Sequence, residues 1–451
     1  MGLSKTFKRL SLSLGADAVW YSSPNLKLLI LARMIRMFAY GGTTLILVLY
    51  LSALGIPDTR IGLFMTLALV GDIGVSTVLT VVGDGMGVRV TMAVGALLMM
   101  ASGVAANEVD PFKAIEESAI ARLSTTANCN DFFAWWTLLG MVGMAASTLL
   151  TGFAIDVLQA SYALRPLEIY RFIFLGYAAV GFLKLVCALC ISSQVELHTP
   201  SAMLKDSEIV SVDDSRPLLG DYQYQPQNGA YNTITAPSNN TSNFYSNCNE
   251  VDVNPTPMFT PESRSFIWKV SLAIMPDYIG SGLAQITWMT YFFKREYDIA
   301  EGPLGLAIFI ASIISSFLNL LSSPLSRALG QVPTMVVCHT ITSISLLMIS
   351  APNNRTLALG LFMLRIVLRE IDSAPRQAFL AGGVLDEERT SAMGLVTVVK
   401  TVGCCVGLFL TGEFAGSGYF WVAFTVAGAL KLLHNVVILG FFWNHRGRYE
   451  A

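Results

Sequence analysis

Charge is what this sequence is short of. Only 13% of its 451 residues are Asp, Glu, Lys or Arg, against roughly 25% in an ordinary soluble chain. With 53% hydrophobic residues and positive mean hydropathy, that shortage excludes a soluble globular protein. A formal net charge of −2 leaves no basic surplus, so no nucleic-acid partner is expected. The phosphate-binding pattern Gly-x-x-x-x-Gly-Lys-Ser/Thr is missing, which argues against an ATP-driven pump. His-Glu-x-x-His and any His/Asp cluster are missing too, so no enzyme chemistry, metal or cofactor is expected. The seven cysteines lie mostly inside apolar segments and read as buried thiols rather than a metal or disulfide framework. The opening "MGLSKTFKRLSLSLGADAVW" lacks the apolar core of a cleavable signal. Gly2 and Thr6 fit the myristoylation pattern, although a multi-pass protein has little need of a lipid anchor.

Long apolar runs are what the chain has in place of charge. "LILVLYLSALGI", "LGLAIFIASIISSFLNLL" and "FWVAFTVAGALKLLHNVVILGFFW" belong to segments near the ~20 residues that cross a bilayer as a helix. No alternating β-barrel pattern occurs, so helices must satisfy the buried backbone. The expected spans are 26–52, 61–82, 89–106, 131–157, 168–192, 265–293, 302–326, 332–351, 356–384, 388–414 and 418–443. The chain is therefore an all-α polytopic membrane protein. Its expected parts are a cytoplasmic tail 1–25, a helical half 26–192, a disordered cytoplasmic linker 193–264, a second half 265–443 and a tail 444–451. The linker is rich in Ser, Asn, Asp and Pro and cannot bury enough apolar surface to fold.

The halves repeat. Gly62 aligns with Gly305, Gly87 with Gly330, Thr91 with Thr334 and Met92 with Met335, all at one offset of 243 residues (305 − 62). "TGFA" at 151–154 faces "TGEFA" at 411–415. Two copies in the same order indicate parallel halves related by an axis along the membrane normal. The repeat also exposes a deficit. Met335 to Pro375 is 40 residues (375 − 335), whereas Met92 to Pro111 is 19 (111 − 92). The missing length approximates one span, and it falls where "MMASGVAANEVDPFKAIEES" turns abruptly charged. Either residues 89–123 form a shortened hairpin of the third and fourth helices, or one crossing is lost and everything downstream inverts. Lys5, Lys8, Arg9 and Lys27 before the first span, and Arg446 and Arg448 after the last, place both ends in the cytoplasm. That parity favours the shortened hairpin.

The two-halved repeat, the central linker and the turn "VVGDGMGVRVTM" together resemble a major facilitator superfamily transporter of a fungal-type branch. The superfamily signature Gly-x-x-x-Asp-Arg-x-Gly-Arg-Arg/Lys is kept at Asp84, Gly87 and Arg89. Thr80, Gly85 and Val88 depart from it. "RQAFLAGGVLDEERTSAMGLVTVVKT" also resembles the turn between the superfamily's tenth and eleventh helices. The resemblance implies solute transport by alternating access about a midplane site, with Asp84, Gly87 and Arg89 as the gating signature. The absent arginines at 85 and 88 imply a weaker latch.

Ionisable groups inside spans cost about 2.5–3.5 kcal/mol each on insertion scales, so each needs a reason. Arg33, Arg36 and Tyr40 share one helical face in "LARMIRMFAYGG". They suit a solute's anionic group, or Arg33 snorkels to the interface. In "LFMLRIVLREIDSAPRQAF", Arg365, Arg369, Asp372 and Arg376 form a stripe, with Glu370 off it. Arg365 and Arg369 can hold a carboxylate or phosphate; an internal salt-bridge ladder explains the stripe equally well. Asp72 and Asp277 lie mid-span and suit proton coupling, or neutralise the arginines. Lys184, Lys400 and Lys431 read as structural or snorkelling cations.

The expected function is secondary active transport of a small solute, anion-accepting and proton-coupled, with lipid bilayer, solute and protons as partners. The alternative is a transport-inactive truncated membrane protein acting as a sensor or interaction partner. The linker's Asp214 with Leu218 and Leu219 fits an acidic dileucine sorting pattern, so the membrane is either the plasma membrane or a vacuolar or endosomal one. Asn239 and Asn240 begin glycosylation sequons, which stay bare in a cytoplasmic linker.

Overall fold

In the computed structural model the described residues are 19–86, 88–105, 116, 119–120, 123, 129–162, 164–191, 259–319, 325, 328–349, 351, 354–371, 373–385 and 388–442. Among them every regular element is a helix. The N-terminal half holds α1 (Pro24–Ala53), α2 (Asp58–Met86), α3 (Val88–Ala105), α4 (Cys129–Tyr162) and α5 (Pro166–Cys190). The C-terminal half holds α6 (Pro261–Leu283), α7 (Ile286–Tyr297), α8 (Glu301–Asn319) and α9 (Gln331–Met348). It continues with α10 (Arg355–Leu368), α11 (Ser373–Gly382), α12 (Arg389–Gly416) and α13 (Phe420–Phe442).

Local chemistry sets the boundaries. Ser23 and Thr260 cap α1 and α6 with their hydroxyls, each ahead of a proline in the first turn, where a missing N–H does no harm. Glu168 accepts from the Arg165 N–H at the start of α5. Gly55 and Gly418 take positive φ in the turns after α1 and α12, a conformation open to glycine at little cost. From Gly41 to Leu49 every residue of α1 is buried. A helix apolar all round must sit inside a bundle, and α1 packs on α4, α5 and α7.

Two expected spans are interrupted. The span expected at 265–293 is α6 and α7, broken at Ala284, whose φ and ψ of −118° and 43° leave the helical region. The span expected at 356–384 is α10 and α11, separated by a turn at Arg369–Ile371. The expected shortened hairpin lies largely outside the described residues: α3 is described as far as Ala105, and Asn107, Glu108 and Asp110 at the expected tip are not described. Beyond it Glu116, Ala119 and Ile120 are helical and buried. Ala119 and Ile120 pack with Leu26 and Leu29 of α1, Met92 of α3 and Trp136 of α4.

Three apolar clusters show how the halves meet. The largest joins both halves through the end of α1, the start of α2, the end of α4 and the start of α5 with α7, α8, α10 and α13. A second lies within the C-terminal half, where α6 and α12 begin and α13 ends. A third lies within the N-terminal half, where α1 and α3 begin and α5 ends. The halves thus share a core at one end of the bundle and keep separate cores at the other. Glycine permits close approach at the shared end: a Cβ on Gly62 of α2 would lie 2.7 Å from the Gly412 Cα of α12.

Candidate functional site

The break in α6–α7 and the turn between α10 and α11 face a common space. It is a cavity of about 330 Å³. Tyr40 and Thr44 of α1 form one wall, with Ser281, Gln285 and Thr342 among its uncharged polar groups. Five cationic side chains line it: Arg365, Arg369, Arg376, Lys400 and Lys431. Asp277 and Glu370 are the acids among the described residues of that lining. Leaving His339 aside, the described lining carries three more positive charges than negative (5 − 2).

Asp277 organises the C-terminal wall. It is 1% exposed, next to Pro276 inside α6. Its Oδ1 takes the Lys431 Nζ at 2.6 Å and faces His339 Nε2 at 3.0 Å. Its Oδ2 lies 3.3 Å from an Arg376 nitrogen. Lys431 also donates to Ser281 Oγ at 2.8 Å. His339 Nδ1 meets Asn435 Oδ1 at 2.9 Å, which orients the ring. His434 packs edge-on against His339 and bonds the Ala273 carbonyl at 2.7 Å. One carboxylate thereby ties α6, α9, α11 and α13 together.

Arg365 is 6% exposed and crosses to the break. One nitrogen donates to the Ala284 carbonyl at 2.7 Å, and another approaches Met289 Sδ at 3.1 Å. A cation at the carbonyl end of α6 is favourable for the helix dipole. Arg369, in the turn, donates to Glu370 Oε1 at 2.8 Å.

The expected site residues separate. Tyr40, Asp277, Arg365 and Arg369 share the cavity; Arg33, Arg36 and Asp72 are not in its lining. Arg36 is 5% exposed and donates to Glu116 Oε2 at 2.7 Å. Lys184 approaches the other Glu116 oxygen at 3.6 Å. The guanidinium of Arg33 stacks over Trp136 at 4.3 Å, a cation–π contact. Asp72 lies half-buried in α2, within electrostatic reach of Arg36. Of the gating signature, the Asp84 side chain and Gly87 lie outside the described residues, as does Asp372. Arg89 donates to the Leu189 carbonyl in the last turn of α5 at 2.8 Å, a contact inside one half.

Gln285, His339 and Thr44 were not singled out by sequence. Lys431 and Arg376 had only bland assignments. The usable signal was charge balance: a mid-span aspartate in apolar surroundings needs cations, and Lys431 and Arg376 were within reach of that argument. Cys187 and Cys190 stand at a Cys-x-x-Cys spacing, and the exposure of one of them departs from the expectation of buried thiols. Both thiols are free, one buried and one exposed.

Polar contacts join the halves at the shared end. Asp58, starting α2, accepts from Arg295 at 2.8 Å and from the Tyr291 hydroxyl at 3.1 Å. The Tyr170 hydroxyl donates to Glu301 at 2.8 Å, and Lys294 lies 3.2 Å from the other oxygen of that carboxylate. Asp156 accepts the Gly302 N–H at 3.2 Å.

Comparison with known proteins is consistent across the chain. Residues 270–450 match the family model described as Major Facilitator Superfamily. An uncharacterized membrane protein of Saccharomyces cerevisiae, YJR124C, is 27% identical over 450 residues, covering 93% of this chain and 94% of that one. A D-xylose-proton symporter superposes with a TM-score of 0.62 at 11% identity, over 92% of this chain and 97% of its own. A POT family transporter in complex with 5-aminolevulinic acid gives 0.63 at 12% identity, over 92% and 95%. At these identities the structural likeness is one of fold.

Proposed function

We propose that the chain, whose residues 270–450 match the Major Facilitator Superfamily model, carries a small anionic solute across its membrane by alternating access, with protons as the coupling ion. The observation that supports this reading is the charge of the cavity: five cationic side chains against two acidic ones among the described residues of its lining. Cations held in a low-dielectric wall attract an anion strongly and repel a cation. Arg365 and Arg369 are the substrate-facing cations. Arg33 and Arg36, bound to Trp136 and Glu116, act as supports behind the α1 wall.

Asp277 is the better placed of the two coupling carboxylates, since it meets the cavity and an imidazole together. A solute anion arriving in the cavity would compete for Lys431 and Arg376 and so change its affinity for a proton. Asp72 stands as the second coupling candidate. The shared apolar end, reinforced by Asp58, Arg295, Glu301 and Lys294, supports a conformation shut at that end. The proposed membrane is either the plasma membrane or a vacuolar or endosomal one. Replacing Leu218 and Leu219 with alanine tests this, because redistribution to the cell surface is expected only if the dileucine pattern is read.

The test is uptake into vesicles reconstituted with the purified protein. Labelled organic anions, neutral solutes and organic cations are compared with and without an inward proton gradient. Saturable, gradient-stimulated uptake of an anion is expected. Uptake of neutral solutes or cations without any anion uptake would overturn the reading.

A further inference from the structure

We propose that His339 carries the coupling proton, as an imidazolium bound to ionised Asp277, and that Asn435 is the positioning residue that holds the ring in that form. The inference rests on the proton-coupling reading above and names the group that holds the proton. The donors and acceptors around one ring carry it. His339 Nδ1 lies 2.9 Å from Asn435 Oδ1, and Nε2 lies 3.0 Å from Asp277 Oδ1. Turning the ring over would set C–H groups against both oxygens, so this orientation stands.

Asn435 decides what Nδ1 must be. Its amide nitrogen lies 2.9 Å from the Thr340 hydroxyl oxygen, and that hydroxyl donates to the Val336 carbonyl at 2.7 Å. A hydroxyl has a single hydrogen to give. With that hydrogen on Val336, the Thr340 oxygen accepts, and the amide nitrogen of Asn435 is its donor. Flipping the amide would set oxygen against oxygen, and Thr340 could donate there only by abandoning Val336. The Asn435 oxygen therefore faces His339, and Nδ1 brings a hydrogen to it.

A neutral imidazole has a single N–H. With that hydrogen on Nδ1, the Nε2 lone pair would point at Asp277 Oδ1, an acceptor facing an acceptor. A second ring proton removes the conflict. Asp277 is the anion that Lys431 binds at 2.6 Å and Arg376 at 3.3 Å, so the proton belongs on Nε2. His434 makes a contrast: the Ala273 carbonyl at 2.7 Å asks only for an Nδ1–H, which a neutral ring supplies.

His339 lines the cavity, so a proton can reach it from water there. Among the described residues, Arg376 of α11 and Lys431 and His434 of α13 stand against the pair. Arg365, Arg369, Glu370 and Lys400 face it across the cavity from α10, the turn beyond it and α12. An imidazolium adds positive charge to this wall, so its proton and a solute anion stabilise one another, each to the same degree. An anion that draws Lys431 and Arg376 away leaves the carboxylate to the imidazolium and tightens the proton further.

The experiment uses the full chain in lipid bilayers, with isotope-labelled histidine, and reads the ring nitrogens by NMR from about pH 5 to about pH 8. The chain has four histidines, and His339 is the signal lost in His339→Gln. Where that variant fails to fold, replacing His198, His434 and His445 singly assigns it by elimination. Hydrogen on both His339 nitrogens is expected over the acid part of the range. A neutral ring throughout, of either tautomer, overturns the inference and leaves coupling through Asp72 or the Asp277 carboxyl standing. A charged ring in a protein whose anion uptake ignores a proton gradient instead overturns the coupling on which the inference rests. Two variants test Asn435. Asn435→Leu removes the acceptor at Nδ1 and should lower the ratio of charged to neutral ring at fixed pH about tenfold, as one lost hydrogen bond would. Its neutral ring should carry the hydrogen on Nε2. Asn435→Asp keeps an acceptor and adds negative charge, so it should raise that ratio. Equal effects from the two variants would mean packing alone and would remove Asn435 from the role.

Discussion

Asp277 cannot be removed quietly. Three groups converge on its two oxygens, and removing a carboxylate from a buried ion network leaves the cations uncompensated. Asp277→Asn should destabilise the folded protein by about 3–5 kcal/mol, read as a lower unfolding midpoint in detergent. Adding Lys431→Met should restore part of the loss, because it deletes one stranded cation; a double mutant no better than the single would deny the coupling. Arg365→Lys should impair uptake by roughly tenfold or more, since an ammonium lacks the planar fork that spans Ala284 and Met289. Normal uptake by that variant would make the guanidinium dispensable. Residue chemistry was half legible in the sequence. The face shared by Arg33, Arg36 and Tyr40 follows from helical spacing, but which neighbour meets each turn does not. Tyr40 reaches the cavity, while Arg36, four residues away and about 6 Å along the axis, finds Glu116. That partner lies 80 residues off, and no local pattern announces it.

At the scale of the helix, apolar length gave the spans but not their interruptions. Ala284–Gln285 contains no proline or glycine, and "SGLAQITWMT" reads as continuous helix. The break becomes intelligible only when Arg365 is seen holding the buried Ala284 carbonyl. The repeat, by contrast, did mark Gly62, although not its function. Gly62→Ala drives a methyl toward the Gly412 Cα at 2.7 Å and must push α2 from α12, with an overpacking cost of about 1–3 kcal/mol. Gly71 lies on the same helix, where an added methyl would meet nothing within 4 Å, and it should accept alanine at no cost. Equal unfolding midpoints for the two variants would refute the close-packing account. A helix start supplies a pH prediction. Glu388, before α12, accepts from the Thr260 N–H at 2.7 Å, and Ser263 and Thr260 hold its carboxyl below its ordinary 4.5. A lowered value means the contact stabilises above 4.5 and weakens as pH falls through the lower folded value. Titrating the unfolding midpoint from about pH 6 to about pH 3 should show an acid-side loss that Glu388→Gln reduces; an identical profile in the variant would dismiss the contact.

For the whole molecule, the in-register repeat and the twofold grouping of apolar segments foreshadowed the fold. The asymmetry between its ends was not foreshadowed, because hydropathy carries no information about which halves of helices touch. The sidedness of the linker is the remaining whole-chain consequence. Lys5, Lys8, Arg9 and Lys27 precede α1 or open it, and Arg446 and Arg448 follow α13. Basic flanks at both ends favour the cytoplasm, which demands an even number of crossings. The return of the chain at Glu116, Ala119 and Ile120, buried against α1, α3 and α4, fits a third and fourth helix that both exist, however short their tip. On that reading each half would cross an even number of times, and the linker 193–264 would stay with the termini. Asn239 and Asn240 test this directly, since their sequons are modified only in a lumen. Expressed in a glycosylating cell, the protein should show no mobility change on enzymatic deglycosylation. A shift abolished by replacing Asn239 and Asn240 together with Gln would put the linker in the lumen, invert the C-terminal half and defeat the shortened hairpin.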